Sequence, residues 1–85
     1  MNPNRFHQLR RAIADVLHQT DGWLYPEPTL FNNINLVMVR PGATLAEFND
    51  VMTKMEIAHH VLRYRGDDGV LKSKLTDEGK AELLS

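Results

Sequence analysis

The sequence predicts an α+β fold that is mainly helical: three helices, a two-stranded β-hairpin and a short closing helix. Three observations carry this reading. Apolar residues recur at helical spacing in three separate stretches, each opened by a capping or proline signal. From Val61 onward the alternation switches to period two around Gly66-Asp67-Asp68-Gly69, a hairpin turn. Thr76 then precedes a last polar-apolar stretch whose first turn holds Asp77 and Glu78, as an N-cap and the positive end of a helix favour. With 85 residues there is room for one core, so residues 1–85 read as a single domain. A chain of this size buries only roughly 60–68% of its surface on folding.

The first helix opens at Asn2-Pro3, a good N-cap followed by a residue preset for helical φ. Phe6, Leu9, Ala12, Ile13, Val16 and Leu17 draw one stripe along it, and Asp21-Gly22 stops it. The next five residues, Gly22-Trp23-Leu24-Tyr25-Pro26, read as an extended linker or a strand of two or three residues, with Trp23 plugging one end of the core. The second helix spans about 27–37. Leu30, Phe31, Ile34, Val37 and Met38 face inward, and the poor helix formers Asn32, Asn33 and Asn35 require packing to hold it, until Arg40-Pro41-Gly42 ends it. The third helix has the clearest start: Thr44 and Glu47 match a capping box, and Leu45, Phe48, Val51, Met52 and Met55 form its stripe up to about Ile57. Phe48, Leu45 and Met52 are expected to bury against Leu9, Ile13 and Leu30, because three stripes must share one core.

In the hairpin, a turn centred on Asp67-Asp68 pairs Arg65 with Val70, Arg63 with Lys72 and Val61 with Lys74. Arg63, Arg65, Lys72 and Lys74 then share one solvent face, while Leu62, Tyr64, Leu71 and Leu75 hold the hairpin to the helices. Four cations on one face point to an anionic partner, since like charges opposite each other are destabilising. A bulged three-residue turn would shift this register by one residue.

Composition narrows the chemistry. Lys and Arg total 10 against 11 Asp and Glu, for a net charge of −1, so binding of nucleic acid through bulk positive charge is excluded and a local patch would be needed. There is no cysteine, which removes disulfides, thiolate zinc sites and cysteine nucleophiles and fits a cytoplasmic protein. No apolar leader and no membrane-length apolar run is present. His7 and His18 stand eleven residues apart, about 16 Å along a helix, and His59 and His60 are adjacent and point apart, so no metal site is expected. The serines sit in no nucleophile elbow and the glycines in no phosphate loop, so neither an enzyme nor a cofactor is expected. Arg5, Arg10 and Arg11 on the first helix do not form one stripe, and Asn32, Asn33, Asn35 and Arg40 are weaker candidates for phosphate contact. The methionines with Phe48 read as core rather than as an adaptable groove.

The end of the chain resembles a known family. Leu75-Thr76-Asp77-Glu78-Gly79-Lys80-Ala81-Glu82-Leu83-Leu84 is similar to the leucine-threonine-x-x-glycine segment that closes the wing of PadR- and MarR-like regulators in the winged helix-turn-helix superfamily. Residues 48–56 with the hairpin after them resemble the recognition helix and wing of those proteins, so the similarity covers 44–85. It implies a small regulator or accessory factor that binds double-stranded DNA. Asn49, Thr53 and Lys54 would meet bases or phosphates, and Arg63, Arg65, Lys72 and Lys74 the backbone. The sequence departs from that pattern on the third helix, whose polar face sets Glu47, Asp50 and Glu56 against Lys54 alone. That face and the near-neutral charge support the other expectation, a protein-interaction module on the same scaffold. A homodimer through the first helix or Trp23 is compatible with either.

Overall fold

Helix α1 runs from Pro3 to Gln19 in the computed structural model, which describes residues 1–20, 22–37 and 41–84. The Asn2 side chain caps it by accepting from the Asn4 backbone N–H at 2.8 Å. Strand β1 (Tyr25–Pro26) and helix α2 (Glu27–Val37) follow, then helix α3 (Leu45–Ile57). Strands β2 (Val61–Arg65) and β3 (Leu71–Leu75) form the hairpin, and helix α4 (Asp77–Leu83) ends the fold. Among the described residues the architecture is α+β, with four helices and a three-stranded antiparallel sheet in the order β1-β3-β2. The predicted two-stranded hairpin thus gains the short extended piece before α2 as a third strand, Tyr25 pairing with Ser73 and Pro26 with Lys72.

The helical stripes meet as their spacing requires, except that Val37 at the end of α2, expected inward, is exposed. Leu9, Ile13, Leu30, Phe48 and Met52 are all buried in one cluster, and the Phe31 and Phe48 rings pack edge to face at 5.3 Å. Met55 is buried there too. Leu45 is a correction: it is 59% exposed, because the first turn of α3 overhangs the rim of the core. Trp23 is a second correction. It is 75% exposed, and Tyr25 packs against the cluster instead, with its hydroxyl accepting from the Asn33 side chain. Asp21, Met38, Arg40 and Ser85 lie outside the described residues, so the helix stop at Asp21, the inward Met38 and the phosphate contact of Arg40 do too.

Two junctions explain why the elements sit where they do. The capping box of α3 is present, Glu47 N–H donating to the Thr44 hydroxyl at 3.1 Å and Thr44 N–H to the Glu47 carboxylate at 3.0 Å. Arg5 of α1 extends it, donating to that carboxylate at 3.1 Å and to the carbonyls of Pro41 and Gly42 at 2.9 Å each. Asn35 closes the same connection, accepting from the Ala43 N–H at 2.7 Å. At the other end, Thr76 accepts from the Gly79 N–H at 2.9 Å and donates to the His59 carbonyl at 2.6 Å. A Cβ on Gly79 would stand 2.2 Å from the His60 carbonyl oxygen, so only glycine lets α4 lie against the start of β2.

The hairpin register differs from the predicted one. The pairs are Val61 with Leu75, Leu62 with Lys74, Arg63 with Ser73, Tyr64 with Lys72 and Arg65 with Leu71. Gly69 takes φ +80° and donates to the Gly66 carbonyl, while the Gly66 N–H donates to that of Val70. The turn therefore carries one residue more than a two-residue loop, and every pair moves by one. Lys72 and Lys74 keep the outer face, but β2 is turned over. Val61 and Arg63 face the helices beside Ser73 and Leu75, and Leu62 and Tyr64 face outward, 51% and 54% exposed.

Candidate functional site

The seven residues expected to form one surface lie in five places. Arg63 points inward and makes a bidentate pair with Glu27 at the start of α2, at 2.8 and 2.7 Å. Glu27 is buried and Arg63 nearly so, their side chains 6% and 12% exposed, and Glu56 stands 3.9 Å from the same guanidinium. The Glu27 carboxylate holds Arg63 in its charged form more firmly still, raising its pKa above the ordinary value. This arginine ties the sheet to α2 and is spent there. Arg65 donates to the Gly69 carbonyl at 2.6 Å and braces the turn from an exposed position. Lys72 and Lys74 lie on the outer sheet face, where Lys72 approaches Asp68 at 3.9 Å. On α3, Asn49 and Thr53 are exposed, whereas Lys54 is drawn toward α1, paired with Asp50 at 3.2 Å and stacked 5.3 Å over the Phe6 ring. The expected four-cation face therefore does not exist: Arg63 turns toward the helices, Arg65 folds over the turn, and only Lys72 and Lys74 stay on the outer face.

The first-helix arginines divide in the same way. Arg5 is taken up by Glu47 and the loop before α3, and this guanidinium, with the Thr44 N–H, holds the Glu47 carboxyl down to about 2. Arg11 pairs with Asp15 at 3.0 Å and donates to the Leu83 carbonyl at 2.9 Å. Arg10 sits over the Phe6 ring at 5.4 Å. Asn33 and Asn35, offered by the sequence as phosphate contacts, are occupied by Tyr25 and Ala43.

The structure instead builds a cleft of about 550 Å³ between the start of α2, the start of α3 and the hairpin tip. Pro28, Phe31, Leu45, Phe48 and Val70 line it with apolar surface, and Asn32, Asn49 and Arg65 supply polar groups. Glu27 also reaches it, but its carboxylate oxygens already accept from Arg63. A mostly apolar hollow with a few convergent polar groups, within the usual range of about 300–1,000 Å³, is what binding sites look like. Of the predicted residues it unites Asn49 and Arg65. Asn32, a weaker candidate of the sequence, lines it as well. Sequence reasoning missed Pro28, Leu45 and Val70 as site residues, whose common signal is an apolar residue at an element boundary, where a core side chain is not required.

Among the described residues no three His, Cys, Asp or Glu side chains are grouped to hold a metal ion, and no helix is long and apolar enough to cross a membrane. No family model, characterised protein sequence or solved structure is significantly similar to this chain.

Proposed function

We propose that this chain is a non-enzymatic protein-interaction module on a winged-helix scaffold, and that the cleft takes a large apolar side chain of its partner. The scaffold reading rests on the element order, helix-strand-helix-helix-hairpin, and on the closing segment Leu75-Thr76 to Gly79, whose threonine and glycine have a structural task at the His59-His60 junction. The observation that carries the function is the cleft itself: Phe31, Leu45 and Val70 leave apolar surface open beside an exposed guanidinium, that of Arg65. A segment pairing a leucine or phenylalanine with a nearby carboxylate matches both groups.

A second reading, a DNA-binding regulator, is supported by the same element order and by the exposed Asn49 and Thr53 on α3. Its electrostatics are weaker. Arg63 is neutralised by Glu27, Lys54 is paired with Asp50, and the hairpin tip offers the exposed Asp67 and Asp68 to any approaching phosphate.

One NMR titration separates the readings. The isotopically labelled chain is exposed to capped tetrapeptides that place Leu or Phe beside Asp, to the same peptides with Lys for Asp, and to random duplex DNA at low salt. The protein reading expects shifts at Phe31, Leu45 and Val70 with the Asp peptides, lost in Leu45→Glu. DNA that shifts Asn49 and Thr53, with every peptide silent, would replace it by the DNA reading.

A further inference from the structure

The outer face of the sheet is a second surface, independent of the cleft. An antiparallel sheet can leave one face in water, but then that face is polar. Here it is not. Leu62 and Tyr64 point outward from β2, Pro26 shares their side through its pairing with Lys72, and Leu24 precedes β1 on the same parity, 39% exposed. The apolar residues flank two cations of the central strand: Lys74 lies opposite Leu62, and Lys72 opposite Tyr64. Lys74 forms no ion pair among the described residues, and Lys72 has only the 3.9 Å approach of Asp68. The helices occupy the other side, where Val61, Ser73 and Leu75 are buried.

This pattern selects its occupant. Two copies of the face laid on each other would set lysines against lysines, which disfavours a symmetric dimer through it. A chain of net charge −1 has no bulk field to draw a nucleic-acid strand, and on this face Tyr64 alone offers a ring for a base to stack on, between the aliphatic Leu24 and Leu62. A sheet face left apolar is ordinarily covered by a helix. Residues two apart on a strand are separated by about 7 Å, close to the roughly 5–6 Å between side chains four apart on a helix. We infer that the outer sheet face binds an acidic amphipathic helix of a protein partner, with carboxylates four residues apart on Lys72 and Lys74 and leucine-like side chains on Leu62 and Tyr64.

The test uses the labelled full chain and a synthetic amphipathic helix of leucine, alanine and glutamate with glutamates four residues apart. Parallel titrations use its Glu→Gln twin, phosphatidylserine vesicles and oligo-deoxythymidine. The expected result is a set of shifts at Leu62, Tyr64, Lys72 and Lys74 with the acidic helix only. Affinity should fall with added salt, and about tenfold in the double variant Lys72→Gln, Lys74→Gln, since two exposed ion pairs together contribute on the order of one decade. The double variant should melt like the parent, which separates lost binding from lost folding. Equal binding of the Gln twin, unchanged affinity of the double variant, or shifts at these four residues from vesicles or oligonucleotide in place of the helix would overturn the inference. The cleft is read at Phe31, Leu45 and Val70, so either surface can fail while the other stands.

Discussion

The two faces of one hairpin have opposite fates. On the inner face, Val61 and Leu75 are buried, Ser73 is inaccessible and Arg63 is locked to Glu27. On the outer face, Leu62, Tyr64, Lys72 and Lys74 hold no part of the core. Residues of similar type, leucine with leucine and cation with cation, therefore differ entirely in what they do. The difference is decided by Gly69, whose left-handed backbone adds a residue to the turn and turns β2 over. Charge read from a strand sequence has no meaning until the register is known.

The largest test of this contrast compares two leucines. Leu75→Ala should cost about 2–5 kcal/mol by opening a cavity, whereas Leu62→Ala should stay within about 0.5 kcal/mol. Chemical denaturation of both variants measures the gap, and equal losses would mean that Leu62 faces the helices after all. The next effect concerns the buried pair. Glu27→Gln leaves the Arg63 charge with only Glu56 at 3.9 Å and should cost about 3 kcal/mol. Replacing both partners, Glu27→Leu with Arg63→Met, should cost less than Glu27→Gln alone, because no uncompensated charge remains. A double-mutant cycle reads this directly.

Gly69→Ala tests the turn that sets the faces. An alanine at φ +80° should cost about 1–2 kcal/mol. Cross-strand nuclear Overhauser contacts between Val61 and Leu75 should persist, since Glu27 and the buried Leu75 also hold the register. Ser73 gives a smaller effect of opposite sign. Its hydroxyl is buried with no hydrogen-bond partner among the described residues, so Ser73→Ala should stabilise by about 1 kcal/mol and raise the melting temperature by about 4–8 °C.

The smallest effect lies away from the sheet and serves as its control. Glu47 has a carboxyl held at about 2, below its unfolded value. Its contribution is therefore complete above about pH 4.5 and is lost as the pH falls from there toward 2. Because Glu47 is partly exposed, the change should be slight. Stability of the parent and of Glu47→Gln, followed from pH 6 to 2, should converge at the acid end; parallel curves would show that the carboxylate contributes nothing to stability.

Local signals made much of the fold legible. Asn2-Pro3, Thr44 with Glu47, and Thr76 each announce a helix through groups within three residues, and the α1 stripe names its own buried side. The site was less legible because its determinants are not local. Two-residue and three-residue loops both suit Gly-Asp-Asp-Gly, and the sign of φ at Gly69 is not written in its identity. The partner of Arg63 lies 36 residues earlier in the chain, on the first turn of another helix. The cleft forms only when three element ends converge, so no stretch of sequence contains it. Trp23 shows the reverse error: a large apolar residue suggests a core plug, but it is Tyr25, two residues on, that packs against the core, its hydroxyl accepting from the Asn33 side chain.

The pair between Arg63 and Glu27 has one further consequence. β2 is an outer strand of the sheet, with no strand neighbour on its far side among the described residues. An open strand edge is a template on which a foreign strand can assemble, the first step toward fibrils. A charge turned inward on an edge strand is a recognised guard against such pairing. Arg63 has that placement, and Glu27 makes it tolerable to the native fold. The same two side chains that seat the sheet on α2 thus place an inward charge on its edge strand, the arrangement that discourages edge-to-edge growth.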